Sequence, residues 1–333
     1  MIISIEKFLS ITDKLVIDMR TKEEYESGHI IDAINFEILD YEERKKVSLL
    51  YNKGLNAEAY MLAYEYALHK LPKLFKIIKK HSKKQIVFYC SRGGSRSTIV
   101  YEVFKKLKGI NFYKIKDGYK AYRQFVNCFF EESLDNYESV TIFDTIGLGI
   151  QRDILKSSKY LLVDLEKIIK PIENPFILLK DKNDYYNNRM VNYYIFEKLY
   201  ESNAKKIVFI LPIISKNTDI LNENLYQLID SGVRYYFSET IETRVSKIKE
   251  MYFENGFTLE VLIKFLNSKR KKMSNVLINE IIEALSEKRF NKSIELILLN
   301  YIDPMMDYFI KKNRVKQIKN MKEINKYLES WSE

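Results

Sequence analysis

The chain has 333 residues, 46% of them hydrophobic, with 5 Pro and 10 Gly; that is enough for two ordinary domains or three small ones, and no Gly/Ser- or Pro-rich tract marks a disordered linker. Lys and Arg number 55 against 45 Asp and Glu, a formal charge of +10, which suits a polyanionic partner such as RNA, although a Lys-, Asn-, Ile- and Tyr-rich composition also follows from an AT-rich genome. Two cysteines, Cys90 and Cys128, argue against a disulfide framework, no basic-plus-apolar signal segment opens the chain, and no apolar run approaches the ~18 residues of a membrane span, so a reducing cytoplasm and no membrane are expected.

In chain order, Leu15-Val16-Ile17-Asp18 reads as a buried parallel strand. Thr21, with Glu24 three residues on, predicts a capped helix start, and Gly28 its end. Ala33-Ile34-Asn35 predicts a second short strand, and Tyr60, Leu62, Ala63, Tyr66, Ala67, Leu71 and Phe75 predict one or two helices within 54–80. Ile86-Val87-Phe88-Tyr89 predicts a central strand that delivers Cys90 at its C-terminal end. A helix follows over 95–107, a strand over 112–115 and a helix over about 119–130. A second unit starts near Val140, with strands at 139–143, 161–165, 207–211 and 233–237 and helices between them; from about Thr258 the pattern is helical and basic. Strands alternating with helices imply α/β architecture with parallel sheets. The expected division is 1–135, 136–255, and a basic helical region 256–333, with no internal repeat.

The chemistry-bearing segment is Cys90-Ser91-Arg92-Gly93-Gly94-Ser95-Arg96. A cysteine at a strand end, before a glycine turn into a helix, can be met by converging backbone N–H groups and the positive helix end, both of which favour a thiolate. Gly93 and Gly94 are expected to take φ > 0 and let the backbone approach a ligand, Arg96 adds a forked donor for an oxyanion, and Arg92 adds another. A persulfide or perselenide on Cys90 would be held there as an anion. This reading needs a sulfur that solvent reaches and amides that face it. The Cys-x-x-x-x-x-Arg spacing also matches protein and arsenate phosphatases, so a Cys-based phosphatase stays open. Cys128, between Phe125 and Phe129, is expected in the core, and His29 as a hydrogen-bonded structural residue. No metal site and no tightly bound cofactor are expected.

Ile17-Asp18-Met19-Arg20-Thr21…Glu24-Tyr25…Gly28-His29-Ile30…Ala33-Ile34-Asn35 resembles the opening motif of rhodanese domains, which implies that Asp18 and Arg20, with His29 nearby, support the thiol loop. Tyr89 to Ser97, the segment Glu42-Glu43-Arg44…Leu50-Tyr51…Gly54, and Gly118-Tyr119-Lys120-Ala121-Tyr122-Arg123 resemble the bacterial tRNA 2-selenouridine synthase family. Glu242…Arg244-Val245 and Leu298-Leu299…Tyr301-Ile302-Asp303-Pro304 are similar to its C-terminal part. The resemblance implies a transferase that replaces sulfur of wobble 2-thiouridine in tRNA by selenium, with selenophosphate and geranyl diphosphate as co-substrates and Cys90 as the thiol.

The family's P-loop falls at Asp144-Thr145-Ile146-Gly147-Leu148-Gly149-Ile150-Gln151. Ile150 stands where phosphate-binding Lys belongs and Gln151 where the Mg²⁺-binding hydroxyl belongs, so no nucleotide-binding residue is assigned. Leu165-Glu166 lacks the His-Arg-Gly-Ser that should follow, and Ile210-Leu211-Pro212-Ile213-Ile214-Ser215 replaces an acidic signature. The second unit thus reads as a degenerate P-loop fold. Candidate contacts for tRNA phosphates are Lys269, Arg270, Lys271 and Lys272, then Lys311, Lys312 and Arg314, with Lys120 and Arg123 for the anticodon arm; a solvated helical face is the plainer alternative. A persulfide carrier and a non-catalytic RNA-binding paralogue also remain open, as does oligomeric state.

Overall fold

Two parallel sheets organise the computed structural model, which describes residues 1–144, 154, 159–166, 168–169, 175–176, 186–212, 220–237, 239–253, 259–318 and 321–332. These fall in two units, Met1–Glu132 and Ser133–Glu333. The candidate P-loop turn at 145–151 and Ile213 to Ser215 lie outside the described residues.

The first unit runs β1 (Ile2–Ile3), α1 (Ile5–Leu9), β2 (Lys14–Asp18), α2 (Lys22–Glu26), β3 (Ile34–Asn35), α3 (Tyr41–Asn52), α4 (Asn56–Leu68), α5 (Leu71–Lys80), β4 (Gln85–Tyr89), α6 (Ser95–Phe104), β5 (Phe112–Ile115) and α7 (Gly118–Glu132). Its sheet order is β1-β5-β4-β2-β3, every pair parallel. Ile86, Val87, Phe88 and Tyr89 are fully buried, as a central strand covered on both faces requires. The predicted capping box of α2 is present, with the Thr21 side chain accepting from Glu24 N and the Glu24 side chain accepting from Thr21 N.

Three local readings change. α3, capped by Asp40 and Glu43, was not foreseen, because Val47 is its one buried residue and no apolar stripe announces it. α4 buries Ala59, Ala63 and Ala67 while Tyr60 is 36% exposed, so small residues rather than large ones make its inner face. Cys128 is exposed rather than in the core. On α7 the buried stripe is Tyr119, Tyr122, Val126 and Phe130, and a residue two places past Val126 points about 200° away at ~100° per residue.

The second unit runs β6 (Glu138–Asp144), β7 (Leu161–Asp164), α8 (Asn188–Glu201), β8 (Lys206–Pro212), α9 (Glu223–Ser231), β9 (Val233–Phe237), α10 (Ile241–Ile248), α11 (Leu259–Ser268), α12 (Asn275–Ser286), α13 (Phe290–Ile297), α14 (Asp303–Asn313), β10 (Lys316–Ile318) and α15 (Met321–Ser332). Its sheet order is β10-β9-β6-β8-β7, again parallel throughout. The four strands expected here form at their predicted places. β10 is a fifth, drawn from residues read as wholly helical; it pairs along β9 and carries the C-terminal region into the sheet. Single π-helical turns follow α10 at Lys249–Phe253 and precede α14 at Leu298–Ile302. From α10 to α14, Arg244, 7% exposed, reaches Asp303 with both Nη atoms at 2.6 and 2.9 Å. Two sequence fragments 59 residues apart are thereby joined by a forked ion pair.

Candidate active site

β4 ends at Tyr89, so Cys90 is the first residue past the central strand, and the loop turns into α6 with Gly94 as N-cap. Gly93 adopts φ +62°, and a Cβ there would stand 3.0 Å from Asp117 N; Gly94, expected to do the same, has φ −80° instead, because as N-cap it is already extended ahead of the helix. The start of α7 closes on the loop: Tyr119 N–H donates to Cys90 O at 2.8 Å and Lys120 N–H to Ser91 O at 2.9 Å. Gly118, at φ +57°, lets this happen, since a Cβ on it would sit 2.1 Å from Cys90 O and 2.7 Å from Gly93 N. The Gly118-Tyr119-Lys120 segment is the clamp that fixes the loop.

The sulfur does not sit in an open ring of amides. Cys90 is 2% exposed; its Sγ lies 3.2 Å from Ser97 Oγ and 3.8 Å from the Gly94 carbonyl, toward which the thiol donates. The cause is the direction of that carbonyl, which also accepts from the hydroxyls of Ser97 and Thr98 at 3.4 and 3.0 Å. Arg96 does not reach toward an open anion site either. Its Nη1 meets Glu24 Oε2 at 2.5 Å, and its Nη2 meets Glu24 Oε1 at 3.2 Å and Ser91 Oγ at 2.9 Å. Ser91 Oγ donates to Glu24 Oε1 at 2.6 Å, and Arg44 Nε stands 3.4 Å from Oε2. Glu24, read in the sequence only as a helix cap, is therefore the hub that holds the loop's arginine. Ser95 opens α6, and Arg92 is exposed.

Burial alone would push the Glu24 carboxyl up, but the Arg96 hydrogen bond and charge, with those of Ser91 and the Thr21 amide, bring it down to about 2 from an ordinary 4.5. A carboxyl depressed on folding stabilises the protein above its unfolded value, and that contribution fades as pH falls toward the folded value. Acid titration of stability between pH 4.5 and 2 is therefore expected to be flatter for Glu24→Gln than for the parent, as read by urea midpoints at successive pH values.

Beneath the loop, Asp18 and Arg20 pair with side chains 0% and 3% exposed. Arg20 Nε and Nη2 both reach the Asp18 carboxylate, Nη2 also donates to Gly28 O at 2.8 Å, and the guanidinium lies 3.9 Å from the Tyr119 ring centre. Tyr89 O–H donates to Asp18 Oδ2 at 2.7 Å and accepts from Ile30 N–H at 3.2 Å. Burial works against the Arg20 charge, yet the hydrogen bonds and charge of Asp18 hold its pKa above the ordinary value; burial and Asp18 push Tyr89 up as well. His29 stacks on Tyr25 at 3.7 Å between ring centres, with its Nδ1 2.9 Å from Tyr25 O. Burial lowers its pKa, in keeping with a packing role.

Lys120 and Arg123 are exposed on α7. In the second unit Arg270 bonds Asn267, Asn275 and Asn279, Lys269 lies over the rings of Phe265 and Tyr301, and Lys312 lies over Tyr308. Lys271, Lys272, Lys311 and Arg314 are exposed. Among the described residues no group of three His, Cys, Asp or Glu is placed to hold a metal ion, and no helix is long and apolar enough to cross a membrane.

The model of the rhodanese-like domain matches residues 5–125. The chain is 25% identical to a tRNA 2-selenouridine synthase of Sulfurovum sp. (strain NBC37-1), over 95% of this chain and 94% of that protein. It is 27% identical to that of Nitrosomonas europaea, over 73% of this chain and 65% of the relative. A solved N-terminal domain from Clostridium difficile 630, of a protein named for ATP/GTP binding, is 34% identical over 38% of this chain and 98% of that domain, with a TM-score of 0.36. The first unit thus matches the rhodanese-like domain, and the chain as a whole is similar to tRNA 2-selenouridine synthases, one of them along 95% of its length.

Proposed function

We propose that the chain is a cytoplasmic tRNA-modifying transferase that replaces sulfur of wobble 2-thiouridine by selenium, with Cys90 as the thiol that carries the chalcogen. The observation that carries this reading is the position of Cys90 at the end of the central parallel strand, ahead of a glycine turn and the N-terminus of α6. Selenophosphate and geranyl diphosphate are the co-substrates that the family suggests. The anticodon arm would meet Lys120 and Arg123, and tRNA phosphates would meet Lys269 to Lys272, Lys311, Lys312 and Arg314. Residues 136–255 serve as a degenerate P-loop-like part without nucleotide chemistry, given Ile150 and Gln151, and 256–333 as the basic region.

Cys90 is buried with Gly94 O beside it, so transfer requires the loop to open. A donor's oxyanion group competes with the Glu24 carboxylate for the fork of Arg96, and release of that ion pair removes one of the restraints on the loop. With thiosulfate as probe, the Cys90 thiolate attacks the outer sulfur and the S–S bond of the donor breaks. Sulfite leaves with the electron pair, and a persulfide remains on Cys90.

Mass spectrometry after thiosulfate treatment is expected to find one added sulfur atom on the Cys90 peptide and none in Cys90→Ser. No addition to the parent would sink the carrier step. Nucleoside analysis of tRNA from a deletion strain tests the substrate: selenouridine is expected to disappear. Unchanged 2-thiouridine, geranyl-thiouridine and selenouridine would remove the tRNA reading.

A further inference from the structure

Three charged residues of the first unit are buried: Asp18, Arg20 and Lys114. The first two neutralise each other, and Arg96 near the surface is neutralised by Glu24. Lys114, 7% exposed, makes no ion pair among the described residues. It stands on β5 opposite Phe88 of β4, directly behind the Cys90 loop. Its Nζ donates to Gly93 O at 3.0 Å and to Thr98 Oγ1 at 2.7 Å. Thr98 in turn donates to Gly94 O at 3.0 Å, the carbonyl that faces the thiol. One ammonium thus fixes both carbonyls of the glycine pair, the second by way of a hydroxyl. Asp117, adjacent to Gly93 through its backbone, is exposed and forms no ion pair with it. Burying an ammonium with neutral partners alone is costly, and the cost is offset when an anion comes near it.

We propose that Lys114 is the positioning residue of the Cys90 loop: it sets the Gly93-Gly94 turn and supplies the one buried charge of the first unit that no ion pair neutralises, which favours an anionic sulfur- or selenium-bearing group at Cys90. This deepens the transferase reading and rests on it for the identity of the anion.

The test compares two alkylating agents of similar size, anionic iodoacetate and neutral iodoacetamide, on a Cys128→Ser background in which Cys90 is the single thiol. Loop opening and thiolate fraction affect both reagents alike, so the ratio of their rates reads the potential at the sulfur. Lys114→Gln keeps hydrogen bonding and drops the charge; the iodoacetate/iodoacetamide ratio is expected to fall about fivefold, as for one unit charge acting across several ångströms of protein. Lys114→Arg is expected to restore it to within about twofold. Lys114→Met gives the same reading if the glutamine variant does not fold. A ratio unchanged in the uncharged variants, even with both rates altered together, overturns the proposal and leaves Lys114 a packing residue. A parent that takes no sulfur from thiosulfate yet shows the Lys114-dependent ratio overturns the transferase reading instead.

Discussion

Asp18→Ala is expected to destabilise the first unit by about 3–5 kcal/mol, the usual cost of removing one partner from a buried ion pair. Asp18 is fully buried and receives Arg20 Nε and Nη2, the Arg20 amide at 2.9 Å and the Tyr89 hydroxyl at 2.7 Å. Without the carboxylate, Arg20 is left charged at 3% exposure, and Tyr89 loses its acceptor in the strand that leads straight to Cys90. Asp18→Asn keeps the shape and one acceptor oxygen, so a smaller loss is expected from it. Hydrogen exchange of peptides covering β2 and β4, with urea denaturation followed by circular dichroism, checks both. Equal protection in Asp18→Ala and parent would show that the pair carries no stability.

The second large effect is expected from Gly118→Ala. A methyl group 2.1 Å from Cys90 O and 2.7 Å from Gly93 N cannot be accommodated by side-chain motion, since both contacts are backbone, and φ +57° is strained for alanine besides. The amide bonds from Tyr119 and Lys120 to the loop must lengthen or break. Misplacing the thiol by about 1 Å is expected to slow sulfur uptake by about 100-fold. Gly94→Ala is the control: no atom lies within 4 Å of its Cβ position, so a change below about 1 kcal/mol is expected. Thiosulfate-dependent labelling of Cys90 in the two variants decides the matter. Equal rates in Gly118→Ala and parent would mean that α7 does not hold the loop in its working form.

The strands were legible because parallel strands buried on both faces are written as unbroken apolar runs, as at Val16-Ile17 and Ile86 to Tyr89. The Cys90 loop was legible because glycines, arginine and cysteine crowd into seven residues. Other features rest on partners distant in the chain. Glu24 reads locally as a cap, and its grip on Arg96 spans 72 residues. Lys114 reads as one more lysine in a lysine-rich chain, and only the packing of β5 behind the loop buries it. The closed state of Cys90 depends on which way the Gly94 carbonyl turns, and a glycine imposes no direction on it. β10 has three residues, two of them exposed, and only its register with β9 makes it a strand.

The Arg244–Asp303 pair and β10 bear on how the second unit can be divided. Cutting the chain after residue 255 would strip Asp303 from a guanidinium that has almost no water around it and bare the backbone edge of β9 along Tyr235, Tyr236 and Phe237. A stranded cation and a naked apolar edge together favour self-association over solubility. The tail is therefore a co-folding half of the second unit: expressed as a separate piece, it would bring back both the counter-ion and the missing strand.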